Sequence, residues 1–250
     1  MNPERRLAPF YRLLIRDVIF GLLSRGIDAE GQNFIPQQGP AIVVINHMGW
    51  AEFLLPPILL PQKPTTMTKE ENLAIPIIGK MAKDIGFFPV DRGEVDRRAL
   101  NRAMDVLRQG GFFVTSPEGT RGRENLGNRR SLTEAKNGVL YIAKKVATEL
   151  RRPVPISSWA VWGGPEWIFP ELEDKTTSLA SRLLWKREET HVRIAPSILV
   201  QPLAEGETLT SKYLQPKSDA LMIAIRDMLP PRYAGHYEGK TAVVSPGGTI

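Results

Sequence analysis

The chain has 250 residues, 42% of them hydrophobic and 24% charged, enough for one substantial core or two small ones and ordinary for a globular fold. That composition excludes a disordered chain and a polytopic membrane protein. The absence of cysteine excludes disulfides, thiolate nucleophiles and zinc–cysteine sites, and a net charge of +6 with a pI near 9.6 favours anionic partners such as phosphates, anionic lipid headgroups, coenzymes or nucleic acid.

Residues 7–23, LAPFYRLLIRDVIFGLL, are apolar but interrupted by Arg12, Arg16 and Asp17. A spanning helix needs about 20 mostly apolar residues, and charges near its middle are costly. A signal peptide would show an uncharged core and a small-residue cleavage site, and neither is present. As a helix, the stretch sets Phe10, Leu14, Ile15, Val18, Leu22 and Leu23 on a broad apolar side. It reads either as a helix lying on a membrane interface, arginines at the headgroups, or as a helix packed on its own domain. No spanning helix is expected.

The run AIVVIN at 41–46 is short, apolar and β-branched, the pattern of a buried strand. Residues 50–60 read as a helix that Pro56 and Pro57 keep short or kinked. TTMT at 65–68 reads as a second strand. Residues 76–85 form a helix with Pro76 in its first turn and Gly86 closing it, and FFPVDR follows as a third strand. Residues 94–109 are an amphipathic helix stopped by Gly110-Gly111, and FFVTSPEG is a fourth strand running into a loop. A polar, basic stretch covers 120–137, a further amphipathic helix 138–150, and VPISSWAVWG is a fifth strand. Residues 191–200 form a strand pair or one long strand, 211–229 a helix, and 230–250 a Gly- and Pro-rich, poorly ordered tail.

Strands alternating with helices imply an α/β fold: one domain over 31–229 with a largely parallel central sheet flanked by helices, preceded by an N-terminal amphipathic membrane-associating segment over 1–30. In such sheets, ligands sit at the carboxyl ends of strands. Three polar clusters fall there. His47 and Glu52 follow the first strand. On one regular helix they would be about 140° apart, so they meet only if His47 lies in the strand–helix turn and Glu52 in the first helical turn. A carboxylate on one imidazole nitrogen then leaves the other free to take a proton from a hydroxyl. The bland alternative is a histidine satisfying a buried backbone group, and on this segment alone it weighs more. Ser116-Pro117-Glu118-Gly119-Thr120-Arg121 follows the fourth strand, with Gly119 allowing close backbone approach and Thr120 and Arg121 suited to phosphate oxygens. Asp91-Arg92 follows the third strand. In isolation it reads as a surface ion pair.

Taken in order, these blocks resemble the glycerolipid acyltransferase family that includes the 1-acylglycerol-3-phosphate acyltransferases. The family's Asn-His-x4-Asp motif corresponds to Asn46-His47 with Glu52. Its Asp-Arg block corresponds to Pro89-Val90-Asp91-Arg92, its Pro-Glu-Gly-Thr-Arg block to residues 117–121, and its later Val-Pro-type strand to Pro153-Val154-Pro155-Ile156. Lys69-Glu70, Leu73, Pro76, Gly79 and Gly86 resemble the intervening segment, and Lys136 and Gly138 a Lys-x-Gly pair. The likeness covers about residues 35–160. It departs at Glu52, where the family has aspartate, and at Ser116, where the family often has phenylalanine.

The resemblance implies an O-acyltransferase carrying a fatty acyl group from a thioester to the hydroxyl of a lysophospholipid, 1-acylglycerol-3-phosphate above all, in phospholipid biosynthesis. His47 would be the general base and Glu52 its orienting acid. Asn46, Lys69, Arg92, Glu118, Gly119, Thr120 and Arg121 would form the substrate site, with the cations on the acceptor phosphate. No metal and no cofactor are expected, since acyl-CoA or acyl-acyl carrier protein is itself the donor. Expected partners are the lysophospholipid, that donor and a membrane surface. The expected location is peripheral or interfacial, on the cytoplasmic face of the membrane. The alternatives are a non-catalytic lipid- or phosphate-binding protein on the same scaffold, and an acyltransferase acting on glycerol phosphate or a glycolipid. Nucleic acid is not an expected partner, because the basic residues are dispersed and no recognised binding motif is present.

Overall fold

A computed structural model of the chain describes residues 7–21, 24–49, 51–74, 76, 78–90, 97–119, 131–164 and 188–250. Among them are eight strands in one sheet. They are β1 (Ile27–Glu30), β2 (Ala41–Ile45), β3 (Thr65–Lys69), β4 (Phe87–Val90), β5 (Phe112–Thr115), β6 (Val154–Gly163), β7 (Thr190–Ile194) and β8 (Ile198–Val200). The order across the sheet is β1-β7-β6-β2-β5-β3-β4, with β8 also pairing with β6. The run β6-β2-β5-β3-β4 is parallel throughout, and β7 and β8 run antiparallel to β6. The fold is thus an α/β domain with a mostly parallel central sheet.

The helices are α1 (Pro9–Leu13), continued by a π-helical stretch over Leu14–Phe20, then α2 (Leu55–Leu59), α3 (Glu70–Ala74), α4 (Ile78–Asp84), α5 (Arg97–Arg108), α6 (Gly138–Leu150) and α7 (Ser211–Met228). Every residue of β2 is fully buried, which is what a parallel strand covered on both faces requires. Its side chains alternate between two cores. Ile42 and Val44 pack with α5, α6 and α7, while Ala41, Val43 and Ile45 pack with α2 and with Ile15, Ile19 and Phe20 of the N-terminal helix. Connections leading toward β4 carry α2, α3 and α4 on one face, and connections leading back carry α5 and α6 on the other. Uniform crossover handedness demands this division.

The chain leaves β2 toward β3 on one face and leaves β5 toward β6 on the other. Neighbouring strands with diverging exits form a topological switch point, and sheets of this kind bind ligands at the carboxyl ends of such strands. Gly86 keeps β3 and β4 in register at their amino ends. It has φ +108°, and a Cβ there would come within 2.0 Å of the Pro64 carbonyl oxygen.

Three expectations change. The sheet starts before residue 31, because β1 pairs in parallel with β7. Its sequence, IDAE, is too short and too acidic to read as a strand. Segment 1–30 is therefore partly an integral piece of the domain. Leu7, Ile15, Ile19 and Phe20 are buried, the Tyr11 hydroxyl donates to Asp84, and Arg12 Nη2 donates to the Leu60 carbonyl at 3.0 Å. Phe10, Leu13 and Val18 stay exposed. Third, residues 230–250 are not a loose tail. Tyr233 and Tyr237 are buried, and the Tyr237 hydroxyl donates to Asp219 at 2.9 Å while accepting from the Ala135 N–H at 2.8 Å. Two aromatic rings with satisfied polar atoms outweigh the Gly and Pro content. Residues 191–200 resolve into two strands, the first of the two alternatives read from sequence.

Candidate active site

His47 stands two residues beyond β2, where the strand has ended and the chain turns into a 3₁₀ helix over Ala51–Leu54. That turn brings residues five apart together. His47 Nδ1 lies 2.7 Å from Glu52 Oε1, with the histidine side chain 11% exposed and the glutamate fully buried. Both Glu52 oxygens also accept from the Gly49 N–H, each at 3.0 Å. The longer glutamate therefore reaches the imidazole with its carboxylate fixed in place. An ionised carboxylate can only accept, so Nδ1 carries the proton toward Glu52 and Nε2 is left as the basic nitrogen. Phe53 packs edge-on against the imidazole, centroids 5.2 Å apart.

Glu118, beyond β5, reaches across to β2. Its Oε1 accepts from the His47 backbone N–H at 2.8 Å, and its Oε2 accepts from the Thr133 N–H at 2.9 Å and hydroxyl at 3.0 Å. Burial pushes this carboxyl above its ordinary value, against the pull of the His47 and Thr133 hydrogen bonds. Asn46 is fully buried. Its Nδ2 donates to the Val161 carbonyl and its Oδ1 accepts from the Val161 N–H, both at 2.8 Å. The side chain thus extends the β2–β6 pairing by one more step.

Asn46 and Glu118 were expected in the substrate site; here their polar atoms bond to Val161, and to His47 and Thr133, respectively. They position His47, from β6 and from the β5 loop respectively. Gly119 does face outward, at φ +66° in a turn closed by its N–H to the Ser116 carbonyl at 3.2 Å. A Cβ there would press on Lys136, with Nζ 3.2 Å away, so the glycine lets that lysine lie against the loop. Lys69 ends β3 exposed at the same end of the sheet. Arg92, Thr120 and Arg121 lie outside the described residues. The contacts of Thr133, Gly49, Phe53 and Val161 carried no sequence signal, and Lys136 was visible only through its Lys-x-Gly spacing.

At the far border of the sheet, Asp28, Glu189 and His191 come close enough to share a cation. However, Arg193 already holds the Asp28 carboxylate at 2.6 Å. Among the described residues, no helix is long and apolar enough to cross a membrane.

A histidine oriented by a buried carboxylate at a switch point is the arrangement of a group-transfer site that draws a proton from a hydroxyl. The model of the Acyltransferase family matches residues 26–162, more than half of the chain, and the chain belongs to that family. It is similar to the 1-acyl-sn-glycerol-3-phosphate acyltransferase of Bacillus subtilis (strain 168), 26% identical over 118 residues that make up 46% of this chain and 59% of that protein. It is also similar to the lyso-ornithine lipid O-acyltransferase of Pseudomonas aeruginosa (strain PAO1), 29% identical over 175 residues, 69% of this chain and 64% of that protein. The chain therefore spans only about three fifths of the length of these relatives. The crystal structure of PlsC, the 1-acyl-sn-glycerophosphate (LPA) acyltransferase of Thermotoga maritima, shares the fold, with a TM-score of 0.59 over 87% of this chain and 76% of that one at 20% identity.

Proposed function

We propose that this protein is an O-acyltransferase that moves a fatty acyl group from acyl-CoA or acyl-acyl carrier protein to the hydroxyl of a lysophospholipid, with 1-acylglycerol-3-phosphate the leading acceptor. The observation that carries the reading is the His47–Glu52 contact of 2.7 Å, which leaves Nε2 free at the carboxyl end of β2. His47 Nε2 takes the acceptor hydroxyl proton as that oxygen attacks the thioester carbonyl. The C–S bond breaks as the ester forms, and the imidazolium returns its proton to the departing thiolate. Glu52 steadies the transient positive charge on the ring. The thioester supplies the activation, so the protein needs to contribute only proximity and proton transfer.

Lys69, Lys136, Arg92 and Arg121 are the cations proposed to hold the acceptor phosphate, with Gly119 and Thr120 shaping the loop beside it. Phe10, Leu13 and Val18 are proposed to enter a lipid surface from the cytoplasmic side, since they are large apolar side chains exposed on a helix whose other face is anchored in the core. Replacing Phe10 and Leu13 together by serine should release the protein from anionic vesicles in a flotation assay without lowering its melting temperature. Retained flotation would refute that contact.

A second reading of the acceptor, a lyso-ornithine lipid, is favoured by the likeness to the Pseudomonas enzyme over 69% of this chain. An acceptor-by-donor activity matrix with products identified by mass spectrometry separates the two. Acceptor-dependent thiol release with a new diacyl product supports the enzyme. Saturable lipid binding without turnover across the panel refutes it.

A further inference from the structure

The site above occupies the carboxyl ends of the parallel strands. At the opposite end, where β6 begins and Val154 pairs with Val200 of β8, a cavity of about 530 Å³ opens between α6, α7, the loop after β8 and residues 243–250. Four side chains set its chemistry: Lys144, Lys217, Tyr213 and Glu207.

Lys144 lies in the middle of α6 and is 2% exposed. The stem of Lys144 is covered, and the residue lines the cavity. Its ammonium carries three donors, yet it has no hydrogen bond and no ion pair among the described residues. Within electrostatic reach of Glu207, the ammonium lies over the Tyr213 ring, whose centroid is 5.5 Å from Nζ. That contact attracts the charge but accepts no conventional hydrogen bond. Lys217 Nζ sits 3.6 Å from the centroid of the same ring and makes a single long contact, 3.5 Å, to the Tyr213 carbonyl.

Glu207 is the one acidic side chain lining the cavity. Its oxygens are already engaged, Oε1 by the Tyr213 hydroxyl at 3.1 Å and Oε2 by the Ala204 N–H at 2.9 Å, and it forms an ion pair with neither lysine. Burial pushes the Tyr213 hydroxyl up to about 12, with the Glu207 bond adding to it, so the ring stays neutral. Two ammonium groups lie near the Glu207 carboxylate, which interacts with both by charge and pairs with neither. Burial lowers both lysines from their ordinary value, and the charge of Lys144 lowers Lys217 further, as expected of two cations sharing one enclosure. Two like charges at one cavity repel each other, and an oxyanion bound between them offsets that repulsion.

We propose that this cavity binds a small soluble oxyanion, a phosphoryl or carboxylate group held between Lys144 and Lys217, at the end of the sheet opposite His47. The site does not depend on the acyl-transfer reading. The test follows the side-chain methylene NMR signals of Lys144 and Lys217, identified by their loss in Lys144→Met and Lys217→Met. Inorganic phosphate and succinate are titrated separately at constant ionic strength. The expected result is that one of these anions moves both signals together along a single saturating curve, with the same curve in a His47→Ala background. Lys144→Met removes a buried charge at nearly constant length and should fold. It should weaken binding by about tenfold or more, the loss expected for a contact to a charged group. A response to phosphate alone assigns a phosphoryl ligand, and a response to succinate alone a carboxylate. Silence of both signals to both anions, or unchanged binding in Lys144→Met, overturns the site. A response only to phosphatidylglycerol vesicles overturns the soluble ligand in favour of a lipid headgroup.

Discussion

The two ends of the sheet treat buried polar groups in opposite ways. At the carboxyl end, Asn46, Glu52 and Glu118 are buried, Asn46 and Glu118 met by partners from another part of the chain and Glu52 by its own turn. At the amino end, Lys144 is 2% exposed, and among the described residues its ammonium lies over an aromatic face without a hydrogen bond. Buried polar groups with every atom satisfied hold a geometry in place, and here they hold His47 in a turn with one nitrogen free. A buried cation left without an acceptor holds nothing in place. The most buried polar residues near His47 thus bond within the fold, while Lys69 and Gly119 around them stay exposed.

The contrast can be broken most severely at His47. His47→Ala should lower acyl transfer by about 10²–10⁴-fold in protein that a melting curve shows to be folded, because general-base catalysis is worth that much. Glu52→Gln removes the charge that steadies the imidazolium and should cost about 10²-fold in kcat. Glu52→Asp keeps the charge but draws it back by one methylene, and should lose less than Glu52→Gln. Equal rates for Glu52→Gln and wild type would show that Glu52 does not orient the ring.

Next comes the brace. Glu118→Ala strands the Thr133 N–H and hydroxyl and the His47 N–H. It should destabilise the fold by about 1–3 kcal/mol in denaturant melts and lower kcat with little change in KM. A change confined to KM would return Glu118 to the substrate. At the other end the sign reverses, and Lys144→Met should melt at the same temperature as wild type or higher, because it removes an unpaired buried charge.

The smallest effect belongs to the β1–β7 border. Arg193, and then His191, hold the Asp28 carboxyl below its ordinary value. The folded state therefore binds fewer protons there than the unfolded one. The stabilisation is complete above the ordinary carboxylate range and is lost as pH falls through the lowered value. On this partly exposed pair it amounts to less than about 1 kcal/mol. Comparing thermal melts of Asp28→Asn and wild type should show a difference at neutral pH that vanishes in acid. A gap that persists in acid would exclude the ion pair as its source.

Much of this was legible in the sequence where one physical signal dominated. The all-apolar β2 and the periodic α5 and α6 declared themselves through burial alone. β1 did not, because four residues with two acids make a strand only once β7 is beside them and Arg193 neutralises Asp28. The tail after Pro230 misled because composition outvoted two tyrosines. In the site, the His47–Glu52 pairing followed from placing a turn between them, while the bonds of Asn46 to Val161 and of Glu118 to His47 and Thr133 did not, because a sequence does not show which acceptors are already used at home. Lys144 vanished into an amphipathic pattern that counts a lysine as a surface residue.

The most direct measurement is single-turnover acyl transfer from a thioester to 1-acylglycerol-3-phosphate by wild type and His47→Ala, with both proteins shown to be folded. The account predicts a diacyl product from wild type and at least about a hundredfold slower formation in the variant. Comparable rates would contradict the claim that His47 is the base.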